Sequence, residues 1–476
     1  MQRKNDSVFK TATLTAGALV LATTPTLFGA DTPAAPGASV GKDASAGLLN
    51  DWFRAQSDTF MAWDIGGQVR MRYELSDGGA SFVPARDFQA DGVDNHNAFL
   101  IVREKLHVGY TPCEYVTAYV EGRDSSSSGD DAPTNPSSDQ VDLHQAYVVL
   151  GNEKQFPVTL KAGRQEMIYG DERLVGASDW TNTQRVFDAA KLRYEQGGWW
   201  VDAFSGRVVL VDNHNFNVAD DYDWFSGVYA STKSLVPWQE TQAYLLTRNS
   251  GVGASVSPRD IYTLGFRVKS LPGKLHGWDY AVEQAFQLGS VNLGGVRLHQ
   301  EAMAASVGGG YTWEKVWATP RLGFEYDYSS GDSNPKDNKS ETFDNLFPTN
   351  HKHYGTMDFV GWRNVHNPRL SASAKPLKSL TVALDWHWFF LADNHDYFYP
   401  QSGAGRSTLG YGRNSQYGDY PGSELDFEVA YAPVKWGALR AGYGHFFPGG
   451  YVDASKAALG GAKDADWFYT QLTFIF

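Results

Sequence analysis

The sequence predicts an all-β protein: one closed antiparallel transmembrane β-barrel of about 18 strands, with short periplasmic turns and long extracellular loops. Three observations point to it. From Ile65 onward the chain runs in segments of about ten residues in which apolar and polar side chains alternate, the period of a strand. The links between segments are short and long in strict alternation, which a soluble sandwich has no reason to show. No mature segment approaches the roughly 18 apolar residues that a membrane helix needs, and the mean hydropathy is -0.39. Aromatic residues at 14% together with 49 Gly suit strands joined by turns better than helices.

Taken in order, residues 1–30 read as an export signal. Arg3, Lys4 and Lys10 form a basic start, and "TATLTAGALVLATT" is apolar but too short to span. Cleavage near Ala30 is expected, with Ala22 as the alternative. Removing Arg3, Lys4, Lys10 and Asp6 leaves 38 basic against 53 acidic residues, a net charge of -15. That balance argues against nucleic acid as a partner. Residues 31–62 are rich in Pro, Ala and Gly at their start and read as a flexible linker. Their "GASVG" (Gly37 to Gly41) matches a nucleophile elbow in form only, since no strand precedes it. The single cysteine, Cys113, permits no internal disulfide.

Residues 63–476 form the barrel, with strands expected at 65–75, 98–110, 114–124, 140–150, 157–169, 186–195, 199–210, 224–232, 238–248, 259–269, 276–288, 298–312, 316–328, 368–376, 380–391, 424–432, 436–446 and 465–476. "GGQVRMRYEL" sets Val69, Met71, Tyr73 and Leu75 on one face and Gln68, Arg70, Arg72 and Glu74 on the other. "PRLGFEYDY", "LTVALDWHWFF" and "SELDFEVAYA" divide in the same way. In lipid each backbone polar group needs a partner, so the sheet closes on itself. The closing strand "ADWFYTQLTFIF" then turns Phe468, Leu472, Phe474 and Phe476 to lipid, and a terminal aromatic resembles the signal by which barrel assembly machinery recognises its clients. Trp63, Trp180, Trp199, Trp224, Trp317, Trp436 and Trp467 read as interfacial girdles against the outer-membrane lipid.

By pleat count the early strands turn Arg70, Arg72, Arg103, Lys105, His107 and Arg123 inward, with Glu74 and Glu121 among them. The late strands turn in Glu325, Asp327, Asp385, Asp426 and Glu428, with Arg321 and Arg440 interspersed. A basic wall facing an acidic wall across water sets up a transverse field that orients a charged solute. Arg164, Arg173, Arg185, Asp188 and Arg193 form a second group, able to grip carboxylates in bidentate fashion or to pin a long loop to the wall. Strict alternation places Arg164 with Leu160 and Ala162 toward lipid unless a bulge at Gly163 re-aims it.

The segment "GRQEMIYGDERLVGASDWTNTQRVFDAAKLRY" (Gly163 to Tyr194) resembles the signature region of the alginate-export family of outer-membrane porins. "YVEGRD" (Tyr119 to Asp124), "VDLHQAYV" (Val141 to Val148) and "GDSNPKDNKSETFDNLFPTNHKHYG" (Gly331 to Gly355) extend the resemblance to nearly the whole chain from Asp64. It implies an 18-stranded barrel in the bacterial outer membrane that passes a polyuronate through an Arg-lined lumen.

The donor-rich stretches "HKH" (His351, His353), "DNHD" (Asp393, His395, Asp396) and "DSNPKD" (Asp332 to Asp337) fall in long loops and read as solvated residues. The last lacks the Gly and Glu of a calcium loop, with Phe343 where the Glu would stand. No cofactor or metal is expected. The functional expectation is passive passage of an anionic polysaccharide or oligosaccharide, with Arg70, Arg72, Arg103, Lys105, Arg123, Arg164, Arg185, Arg193, Asp188, Glu325, Asp385, Asp426 and Glu428 meeting it. Two other classes stay open: a general or differently selective porin, and a barrel enzyme with a rim site built around His107, His299 or His387. An adhesion barrel acting through its loops is a further one.

Overall fold

The computed structural model describes residues 47–79, 87–88, 95–131, 137–152, 155–406 and 411–476. The expected signal and most of the expected linker lie outside these. Within them Leu48–Gln56 forms helix α1 and Asp58–Ala62 a 3-10 turn, so the end of the stretch read as flexible is instead helical. Asn50 holds it to the barrel, donating 2.5 Å to Asp64 Oδ1 and accepting 2.6 Å from the Ile65 amide.

Nineteen strands follow: β1 (Trp63–Asp77), β2 (Asn97–Cys113), β3 (Val116–Ser128), β4 (Asp139–Leu150), β5 (Val158–Gln165), β6 (Phe187–Gln196), β7 (Trp199–Leu210), β8 (Val218–Thr232), β9 (Gln239–Ser250), β10 (Arg259–Ser270), β11 (Trp278–Leu293), β12 (Val296–Thr312), β13 (Arg321–Ser329), β14 (Lys339–Ser340), β15 (Val365–Leu377), β16 (Leu380–Leu391), β17 (Gly422–Val434), β18 (Gly437–Pro448) and β19 (Ala465–Ile475). Eighteen pair with their neighbours in antiparallel ladders, and β14 is a two-residue parallel addition to β12 inside a loop. All 18 barrel strands fall where alternation placed them. The differences are at ends. β5 stops at Gln165 because the chain then folds into the lumen, β8 begins six residues early, and β13 begins late because 313–320 make turns.

β1 pairs with β19 from Gln68↔Ile475 to Asp77↔Asp466, which removes both sheet edges. Along β19, Phe468, Thr470 and Leu472 point out and Trp467, Tyr469 and Gln471 point in. The outer face carries exposed Leu106, Leu264, Phe286, Leu288 and Leu322, as a lipid solvent requires. No described helix is long and apolar enough to cross a membrane; the strands do the crossing.

The apolar core is inside the barrel and is supplied by loops. Residues 166–186 and 330–364 fold inward, where Phe343, Tyr354, Met357, Phe359 and Trp362 are fully buried. Phe347 meets the inward rings of Phe187 and Phe225 at 5.1 and 4.9 Å. Phe359 packs on Phe446 of β18 at 5.0 Å. The long-loop half of the lumen is therefore filled with protein. Helix α2 (Gly450–Lys456) adds Tyr451 and Val452 to that packing.

Candidate functional site: the lumen and its septum

Pleating turns Arg70 and Arg72 of β1, Arg103 and Lys105 of β2, and Arg123 of β3 into the lumen, all nearly buried. Their partners are what alternation left unseen. Arg70 donates to the backbone carbonyls of Asp179 at 2.6 Å, Trp180 at 3.2 Å and Thr181 at 3.1 Å. Arg72 bonds Glu74 Oε1 at 2.7 Å and the Trp180 carbonyl at 2.8 Å. Arg103 reaches Asp179 Oδ1 at 2.8 Å, Lys105 reaches Glu121 at 3.4 Å, and Arg123 pairs with Asp139. Much of the expected basic wall is thus committed to holding the 166–186 loop.

The late acids are likewise met by cations that alternation did not find. Arg173, carried in by the loop, bridges Glu325 at 2.8 Å and Asp327 at 3.0 Å. Arg369 of β15 sits 2.6 Å from Asp385 and 3.5 Å from Glu325. Asp426 accepts from Thr356 Oγ1 at 2.5 Å, and Glu428 accepts from the Tyr469 hydroxyl at 2.5 Å. The acidic wall is consequently not a bare one. Arg369 lies in the expected strand 368–376, and what its sequence does not encode is the cross-strand register that brings it to Asp385.

Three expected residues are elsewhere. Arg164 and Asp188 form a bidentate pair at 2.8 and 3.1 Å, but in register they lie with Leu160, Ala162, Ala190 and Leu192 on the outer face. Gly163 does adopt a φ of +125°, and a Cβ there would come within 2.2 Å of the Ala146 carbonyl oxygen, yet the register is not re-aimed. They cap the outer wall rather than line the pore. Arg185 is in the loop, donating 2.9 Å to each of the Gly176 and Pro348 carbonyls. Burial and nearby Arg248 push its guanidinium down to about 10, still protonated at neutral pH. Arg193 does face the lumen, 2.6 Å from Asp202.

Two of the expected girdle residues are also inside. Trp180 is clamped between the Arg72 guanidinium at 3.5 Å and the His351 ring at 3.8 Å, and Trp467 donates to Glu74 at 3.1 Å. Trp199, Trp224 and Trp317 are exposed on the outside. Of the His and Asp residues read as solvated, His395 and Asp337 are exposed, whereas His353, Asp332 and Asp396 are packed. His353 is buried with Nε2 2.7 Å from the Asp171 carbonyl, and burial with Arg173 and Lys352 alongside lowers its basicity so that it stays neutral and donates. Among the described residues no three His, Cys, Asp or Glu converge as a metal site.

Together these contacts build a septum across the barrel. On its long-loop side is a cavity of about 310 Å³ bounded by Arg72, Trp180, Asp358, Phe359, Arg406 and Trp467. On its short-turn side is one of about 360 Å³ bounded by Asp171, Arg173, Lys269, Arg321, Lys352 and Arg369. Burial opposes charge on Arg173 between them, but Asp327 and Glu325 outweigh it and hold the guanidinium well above its ordinary range. The septum backbone is strained. Glu172, Ser178 and Gln184 in one loop and Leu346, Asp358 and Asn364 in the other take left-handed φ values, each at a cost of about 1–3 kcal/mol, a burden found at functional sites.

A family model described as alginate export matches residues 62–463. The chain belongs to the alginate export family. By sequence, no curated protein matches it. Among solved structures this family member resembles OccK11 (OpdR) of Pseudomonas aeruginosa, with a TM-score of 0.54 at 13% identity over 91% of this chain and 98% of that one. It also resembles OccAB1 of Acinetobacter baumannii, with a TM-score of 0.56 at 10% identity over 87% and 96%, and OccD3 (OpdP) of P. aeruginosa, with 0.55 at 12% over 87% and 91%. Likeness at such identity concerns the fold. Family and fold together make the chain an outer-membrane β-barrel porin of the bacterial outer membrane.

Proposed function

We propose that this porin passes an anionic carbohydrate, with alginate or another polyuronate as the cargo its lumen suits. One observation carries the reading: on five of the six strands from β1 to β6, all but β4, the inward face bears Arg70, Arg72, Arg103, Lys105, Arg123, Lys161, Lys191 and Arg193. Inside a narrow, partly desolvated lumen such charges raise the local concentration of anions. Passage is passive and waits on movement of the septum loops. Acids such as Asp385, Asp426 and Glu428 keep the cargo from being held too tightly. The partners of the proposed cycle are that polysaccharide, the surrounding lipid and the machinery that inserts barrels.

A differently selective porin is the second reading, favoured by the ion pairing of nearly every inward arginine, which leaves less free positive field than a count of charges indicates. Planar bilayers decide between them. Anion-selective reversal potentials, with blockade by oligouronates and not by neutral oligosaccharides, are expected for the first reading. Equal blockade by both overturns it.

A further inference from the structure

The two loops that make the septum are stitched to each other along one seam. Gly176 donates 2.8 Å to the Phe347 carbonyl, Phe347 donates 3.0 Å to that of Leu174, and Thr349 donates 2.9 Å to that of Glu172. Side chains continue the seam toward the short-turn side. The Thr349 hydroxyl bonds Glu172 at 2.8 Å, Lys352 reaches the other oxygen of Glu172 at 3.4 Å, and Arg173 donates 3.0 Å to the Tyr354 hydroxyl. At its end His353 donates from Nε2 to the Asp171 carbonyl at 2.7 Å.

His353 is the one tie in that seam whose charge can change near neutral pH. Its ring is 6% exposed and sits among cations. Arg173 faces it from the first loop and Lys352 precedes it in the second, while the Asp171 carboxylate already answers Arg267 and Lys269 of β10 as well as Lys352. The other carboxylates of the neighbourhood are taken too. Glu172 is held by Lys352 and Thr349, and Glu325 and Asp327 are bridged by Arg173. Burial, and then Arg173 and Lys352, depress the basicity of the imidazole well below its ordinary range, with Asp171 opposing. A proton on the ring would therefore add a buried positive charge between two others, and such a charge is relieved only by water. Water is close by, because His353 borders the short-turn cavity of about 360 Å³.

We propose that His353 is an acid-operated latch: neutral, it ties the two septum loops together; protonated from the short-turn side, it parts them and opens the pore. The latch governs when the pore opens and not what passes, so it stands whichever cargo is carried. Its sign follows from linkage. The shut state binds the proton less tightly than the open state, so the seam is fully stable above the ordinary 6.5 of an imidazole and weakens as pH falls below it.

The test uses the full-length protein in planar bilayers, with the pH lowered on one side at a time. Acid on the short-turn side should raise the open-to-shut ratio of single channels by about tenfold per pH unit below 6.5. His353→Gln, which keeps an N–H for the Asp171 carbonyl and cannot take the proton, should stay shut across the same range. Hydrogen exchange on the parent gives a readout that needs no variant. The amides of Gly176, Phe347 and Thr349, corrected for intrinsic rate, should exchange faster at about pH 5 than at about pH 7. A parent whose open-to-shut ratio does not change with pH overturns the latch, as does opening by acid from the long-loop side alone. So does an acid response in His353→Gln equal to the parent's, or seam amides that exchange no faster in acid.

Discussion

The Arg72 guanidinium lies 3.5 Å from the centre of the Trp180 ring, whose other face stacks on His351 at 3.8 Å. One strand residue is thereby joined to two different loops through a single indole. A desolvated cation–π contact is worth about 2 kcal/mol, so Trp180 is the keystone of the septum.

Replacing it should open the pore. Trp180→Ala is expected to raise single-channel conductance several-fold and to enlarge the longest neutral oligosaccharide that enters liposomes. Conductance equal to the parent would show that the stack does not limit passage.

Arg70 and Arg103 make a contrasting case. Because they donate to Asp179, Trp180 and Thr181 carbonyls, and charge-assisted bonds contribute about 1.5–3 kcal/mol each, Arg70→Gln with Arg103→Gln should free the 166–186 loop. Noisier current and faster proteolysis near Asp179 are expected, with little change in ion ratio. A shifted ratio with quiet current would return these arginines to a direct role in selectivity.

Strand polarity can be checked at the seam. Phe474 is paired with Val69 and lies in phase with the outward Leu472, where a charge costs roughly 2–4 kcal/mol at mid-depth and less near the interface. Phe474→Asp should reduce heat-resistant barrel in the membrane fraction, whereas the same change at the inward Gln471, opposite Arg72 in register, should be tolerated. Equal yields from both would contradict the assigned faces.

Loop packing should depend on pH through Asp332. Burial and neighbouring Asp396 raise its carboxyl from 3.8 to about 6, and its own amide donates to Asp396 at 3.0 Å. The folded group holds its proton more tightly than the unfolded one, so its stabilisation is complete below 3.8 and is lost as pH rises through about 6. Hydrogen exchange of the 332–334 amides, corrected for intrinsic rate, should therefore be slower at about pH 5 than at about pH 7. Asp332→Asn should abolish the difference; persistence of the difference in that variant would remove Asp332 from the explanation.

Strand positions were legible because a barrel wall between lipid and water forces a period of two on residues such as Val69, Arg70, Met71 and Arg72. The inward or outward sense of Arg103, Lys105 and Asp426 came with it. What fills the lumen was not legible. Trp180, Phe343, Tyr354 and Trp362 sit in long, largely polar segments with no repeat, and their burial depends on those segments entering the barrel. Arg173 was legible as a residue able to grip carboxylates or pin its loop to the wall, but its partners Glu325 and Asp327 were not, since nothing local says which strands it crosses to. The pairing of Lys161 with Lys191 was out of sight for another reason: it is a cross-strand register, which one strand's sequence does not encode.

The pairing of Gln68 with Ile475 has a consequence for how the chain is made. The partner that covers the free edge of β1 is the last strand of the sheet, so the wall cannot close until β19 is in place. A chain cut short before β19 would leave a row of unpaired backbone groups along β1, an adhesive ribbon in place of a smaller pore.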